Sequence, residues 1–223
     1  MLIPRINHNL TGFTFSQCQS VGNGIGNDGN AGGCLKESLF VIGGENGEKL
    51  QIPETERYFV KEDRWQSMPS LNQSRSKSCA CVFQNRFLYV FGGVGRDYRQ
   101  VSTVEKYDLF LSEKGWVMVL NAAMREALGK RSRAAALQIS PHAVMLFGGN
   151  PAYDDYFIFH PGKNKVKKGK GRLCARENFF QRQPVLFDKS VFCIGNSQNG
   201  IHKYSLSQCC WKLMECNEWV YFK

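Results

Sequence analysis

Four short apolar runs along the chain stop at glycine: Ser38–Gly44 (SLFVIGG), Phe87–Gly93 (FLYVFGG), Ala143–Gly149 (AVMLFGG) and Ser190–Asn196 (SVFCIGN). Runs this short, rich in β-branched and aromatic residues and ending where a positive φ is easy, predict strands and not helices. Their first glycines, Gly43, Gly92, Gly148 and Gly195, are 49, 56 and 47 residues apart. A second marker follows each run, since Tyr58, Tyr107, Phe159 and Tyr204 recur at intervals of 49, 52 and 45. A third comes seven to nine residues later as Trp65, Trp116 and Trp211. The third unit has no tryptophan there and runs into a lysine-rich stretch instead.

Another strand is predicted upstream of each glycine pair. Ser76–Phe83 (SKSCACVF) aligns with Ser132–Ile139 (SRAAALQI), and Arg75 and Arg131 precede them at one repeat position. The fourth unit offers Phe179–Leu186, with Asn178 in the arginine's place. The first offers Gly12–Gln17, set apart by the glycine-rich stretch Val21–Gly33, which reads as a mobile loop. Each unit then predicts four short antiparallel strands: one apolar, one apolar and ending in Gly-Gly, one with tyrosine, one opening on tryptophan. A single such sheet cannot hide both faces, whereas radial stacking covers each face with the next sheet. A sandwich is the alternative, and a regular period with three ordered markers argues against it. The expected fold is all-β, a propeller of about four blades that is small, open or incomplete.

Glycine pair, tyrosine and tryptophan in this order and period resemble the kelch repeat, over about Ser38 to Trp211. The resemblance implies that Gly43, Gly44, Gly92, Gly93, Gly148, Gly149 and Gly195 end the second strand of each blade. It implies too that Tyr58, Tyr107, Tyr204, Trp65, Trp116 and Trp211 pack between blades. All of these are structural positions; large aromatics fill the wedge between sheets. Asn196 replaces a glycine, and the third unit lacks its tryptophan. Kelch propellers usually close with five to seven blades, so about four implies a small ring, an open arc completed by another chain, or a partial product. An uncovered blade edge or face invites self-association.

On this reading residues 1–37 hold the glycine-rich loop and the first strand of blade 1, and residues 38–214 hold the repeats, at about 38–70, 75–120, 131–170 and 178–214. Residues 215–223 form a tail or edge strand, with Trp219–Phe222 as its apolar part. Hydrophobic residues make up 43% and aromatics 13%, which suits a folded, turn-rich chain. The first ten residues lack the apolar core of a secretory signal, and no stretch is apolar over the length that spans a bilayer. An intracellular, cytoplasmic protein is expected. Its nine cysteines are odd in number and contain no CxxC pair, so they read as reduced thiols, with Cys79 and Cys81 on one strand face.

The formal net charge is +10, which favours acidic partners. Part of it is one run, Lys163, Lys165, Lys167, Lys168, Lys170 and Arg172, read as a solvated loop tip. The run has no interleaved aromatics on which bases would stack, so no specific nucleic-acid partner is expected. Chemistry is sparse. His8, His142, His160 and His202 are scattered, Asp154-Asp155 reads as a turn, and the GNGIGNDG stretch lacks a phosphate loop's lysine and helix. No catalytic, cofactor-binding or metal-binding residue is assigned and no cofactor is expected. A propeller enzyme or metal-dependent oxidase is the alternative.

Binding has the better candidates. Loops leading into the first strands carry Arg75, Lys77, Arg131 and Arg133 and, in the fourth unit, Arg176 and Arg182. Repeat symmetry places the first four at similar heights, where clustered cations suit a carboxylate-bearing peptide. The resemblance implies a protein-interaction module, because kelch relatives include ubiquitin-ligase substrate receptors, actin-binding proteins and scaffolds. No BTB or F-box segment fits before the first glycine strand, so an adaptor role would need that domain on a separate chain.

Overall fold

The computed structural model describes residues 13–14, 38–119, 125–126, 128–150, 155–169, 184–194 and 201–214. The fold is all-β. It comprises four four-stranded antiparallel sheets, each with its strands side by side in chain order. Sheet I is β1 (Phe13–Thr14), β2 (Ser38–Glu45), β3 (Gln51–Phe59) and β4 (Arg64–Met68). Sheet II is β5 (Cys79–Phe83), β6 (Phe87–Phe91), β7 (Val104–Asp108) and β8 (Trp116–Met118). Sheet III is β9 (Ala135–Ser140), β10 (Ala143–Phe147), β11 (Tyr156–His160) and β12 (Lys165–Lys168). Sheet IV is β13 (Val185–Phe187), β14 (Ser190–Ile194), β15 (Ile201–Ser205) and β16 (Cys210–Met214).

The aromatic markers owe their spacing to strand register. Tyr58 lies opposite Trp65, Tyr107 opposite Trp116 and Tyr204 opposite Trp211, so each pair shares one face of its sheet. In sheet III the same register pairs Phe159 with Val166. The lysine run is therefore partly a strand and not a loop tip. Lys-Val-Lys-Lys alternates so that Val166 packs on the core while the lysines stay exposed. Lys170 and Arg172 lie outside the described residues.

The sheets pack face to face in chain order, each on the next. Phe40 and Ile42 of sheet I meet Ala80, Leu88, Val90, Tyr107 and Trp116 of sheet II. The other face of sheet II, with Cys81, Phe83, Tyr89 and Phe91, meets Val144, Leu146, Phe157 and Phe159 of sheet III. Met145, Phe147 and Tyr156 of sheet III then meet Val191, Cys193 and Tyr204 of sheet IV. In every junction the tyrosine–tryptophan position faces the preceding sheet. Alternation along a strand thus divides its residues between two neighbours, which is why β6 and β10 are apolar throughout.

Cys79 and Cys81 share one buried face of β5, as their spacing predicts. Burial pushes the Cys79 thiol up to about 12, and raises Cys81 and Cys193 likewise. Within Gly12–Gln17, Phe13–Thr14 pairs with β2. In the fourth unit the described strand is Val185–Phe187, at the end of the expected Phe179–Leu186. Gly195, Asn196, the Val21–Gly33 stretch and Trp219–Phe222 lie outside the described residues. No helix among the described residues is long and apolar enough to cross a membrane.

Candidate functional site

The site is built where each first strand begins, beside the glycine pair that ends the second strand. There an arginine joins two sheets in the second and third units. The Arg75 backbone N–H donates to Ile52 O at 3.4 Å, and Arg75 O accepts from Gly44 N at 2.9 Å, both in sheet I. Its guanidinium reaches the other way, to Gly92 O at 2.9 Å and Thr103 O at 3.1 Å at the edge of sheet II. Arg131 repeats the pattern one unit on. Its N–H donates to Val101 O at 3.4 Å, its carbonyl accepts from Gly93 N at 2.7 Å, and its guanidinium donates to Gly148 O. The glycines are required by this closeness. A Cβ on Gly43 would strike Arg75 O and one on Gly92 would strike Arg131 O, and both residues have φ near +60°.

The two arginines differ in how their charge is met. Arg75 is fully buried and ion-paired to Glu105, itself fully buried, at 2.6 Å. Glu105 also accepts from Asn72 N at 2.7 Å and Gln73 N at 3.2 Å, so it fixes the loop from sheet I to sheet II. Burial pulls the Arg75 guanidinium below its ordinary value, and Glu105 opposes that pull. At the register position of Glu105, opposite the residue two before the first glycine, sheet III carries Phe157 and sheet IV His202. Arg131 lies 4.5 Å over the Phe157 ring, a cation–π contact, and against the pull of burial the Asp155 charge favours its charged form.

Two residues after each arginine the chain turns through the left-handed region, at Lys77 (φ +52°) and Arg133 (φ +58°). The Arg133 N–H donates to Lys77 O at 2.8 Å, which sets the two turns side by side. Ser76 and Ser132 hold them through paired backbone bonds to Val94 and Asn150. Glu45 of sheet I accepts from Ser76 Oγ at 2.9 Å and pairs with Lys77 Nζ at 3.1 Å. Partial burial raises the Glu45 carboxyl, but the bonds from Ser76 and Lys77 outweigh it and hold it below its ordinary value. Arg133 is half-buried, and no acidic partner for it is seen among the described residues. Beside these turns a cleft of about 10 Å³ opens between sheets II and III, bordered by Lys77, Cys79, Gly129 and Arg131.

The four cations expected to share one height therefore separate into two kinds. Arg75 is not an exposed binding residue: it has no accessible surface and its guanidinium is committed to backbone carbonyls and Glu105. Arg131, 9% exposed, is likewise turned inward. Lys77 and Arg133 remain at the surface. Arg176 and Arg182 lie outside the described residues. His142 is exposed, His160 is half-buried and His202 is buried in sheet IV. Asp155 pairs with Lys168 at 2.7 Å, while Asp154 lies outside the described residues. No group of three or more His, Cys, Asp or Glu among the described residues could hold a metal ion.

Sequence reasoning missed Glu105 and Glu45. A signal for Glu105 exists, because Glu56 and Glu105 each stand two residues before the marker tyrosine. Compared with known proteins, the sequence matches no family model and no curated protein.

Proposed function

We propose that this chain is an open kelch-type propeller arc that works as a protein-interaction module, binding an acidic segment at the Lys77 and Arg133 turns. One observation carries the reading. The same turn occurs twice, one beside the other, and places a surface cation at each repeat while the adjacent arginine is consumed inside. Such a division suits a recognition surface: buried arginines fix the backbone, Arg133 keeps its charge for a ligand, and Lys77 stands beside it in its pair with Glu45. A carboxylate meeting both would gain charge-assisted hydrogen bonds, and the net charge of +10 would draw it in. The neighbouring serine backbone is already satisfied, so the turns are held in shape before a ligand arrives. Resemblance to the kelch repeat supports a binding role over a catalytic one.

A fluorescently labelled hexaglutamate peptide serves as the probe. Arg133→Glu is expected to weaken its binding about tenfold or more, as loss of one charge-assisted contact implies. Lys167→Glu removes the same charge from the exposed strand β12 and should change affinity by less than about threefold. Equal losses in the two variants would show general attraction to a basic protein and overturn the assignment.

A further inference from the structure

The outer faces of the two terminal sheets are the two halves of a junction that the molecule builds three times. In each junction the tyrosine–tryptophan face of one sheet packs on the opposite face of the sheet before it. Among the described residues no sheet precedes the Tyr58–Trp65 face of sheet I. None follows the face of sheet IV that bears Val185, Phe187 and Phe192. Tyr58 and Trp65 stand 5.0 Å apart at 39°, against 5.3 Å and 39° for Tyr107–Trp116 and 4.9 Å and 48° for Tyr204–Trp211. Exposure is what differs, since Trp65 is 41% exposed and Trp116 is 5%.

Sheet IV shows the complementary half. Val185 and Phe187 are 41% and 61% exposed, whereas Cys81 and Phe83, their register counterparts in sheet II, are 5% and 4%. Lys203 lies 5.7 Å over the Phe192 ring. At the same register place in sheet I, Arg57 lies 5.6 Å over Phe40, whose face is covered by sheet II. The outward face of sheet IV is thus composed like faces that elsewhere in the molecule receive a neighbour.

We propose that a second copy of this chain is that neighbour, with sheet IV of one copy docking on sheet I of the next, head to tail. Both halves of the junction are present on one chain, which singles out a second copy over an unrelated partner. The contact is heterologous, so it closes into a ring if the rotation per copy allows and otherwise extends. The proposal stands apart from the acidic-peptide reading, because neither face includes Lys77 or Arg133.

Light scattering on the eluting full-length chain, at several concentrations, tests it. The wild type should give a mass that is a multiple of the chain's. Trp65→Glu and Phe187→Glu each change an exposed side chain outside the three packed junctions, and each should be folded and monomeric alone. Their equimolar mixture should form a dimer and nothing larger, because sheet IV of the first and sheet I of the second are intact. A wild type that is monomeric throughout would overturn the proposal and leave these faces to another segment of the chain or to a different protein. A mixture that stays monomeric, or single variants that still assemble, would overturn the head-to-tail geometry.

Discussion

Glu105→Ala lowers the free energy of unfolding by about 3–5 kcal/mol, the usual cost of removing one partner from a buried ion pair. Alanine there leaves the Arg75 charge without compensation in a site with no accessible surface. It also strands the Asn72 and Gln73 amides, which donate to the Glu105 carboxylate at 2.7 and 3.2 Å. The double variant Arg75→Met with Glu105→Leu removes both charges and should lose less than Glu105→Ala alone, since no unpaired charge remains. Urea unfolding measures both, and the midpoint should shift with little change in slope. A loss below about 1 kcal/mol for Glu105→Ala would mean that the pair is solvated and does not hold the sheets.

Gly92→Ala is the second large effect, with an expected loss of about 3 kcal/mol or more. Holding alanine in the left-handed region costs roughly 1–2 kcal/mol. The Cβ would also collide with Arg131 O, and overpacking adds about 1–3 kcal/mol. Relief of the collision would draw Arg131 away from Gly93 N and Gly148 O, so the damage spreads to two bonds that join sheets II and III. Gly129→Ala is the internal control. Gly129 has φ +63°, close to the +58° of Gly92, yet nothing lies within 4 Å of its would-be Cβ. It should lose only the conformational part, about 1–2 kcal/mol. Equal losses at the two positions would show that the close approach of neighbouring sheets is not what the glycine protects.

Much of this architecture is legible in the sequence because it is written in residue types with few substitutes. A left-handed backbone favours glycine, and at Gly43 and Gly92 a facing carbonyl demands it, so Gly43, Gly92 and Gly148 print the period directly. Ring pairs across a strand register print the tyrosine–tryptophan spacing, as Tyr107 and Trp116 do. Val166 explains the gap in that pattern: a valine fills the tryptophan's place, and its flanking lysines made the strand read as a loop. Candidate site residues were harder to rank. Arg75 and Arg133 are both arginines in turns beside serine, and sequence alone gives them the same role. What separates them is the partner, Glu105 in β7, thirty residues from Arg75 and adjacent to it only once sheet II has formed. The partner also changes between units, from Glu105 for Arg75 to Phe157 for Arg131, so the acid of β7 is not carried into the next repeat.

An arginine ties sheet I to sheet II at Arg75 and sheet II to sheet III at Arg131. Amide hydrogen exchange at Gly44 and Gly93 tests it most directly, because their N–H groups donate across junctions to Arg75 O at 2.9 Å and Arg131 O at 2.7 Å. If the junctions hold as described, both amides exchange only when neighbouring sheets part, at least about a thousandfold more slowly than in an unstructured peptide. Exchange within about tenfold of the unstructured rate, in a chain whose β6 and β10 amides remain protected, would contradict it. The sheets would then fold without being tied.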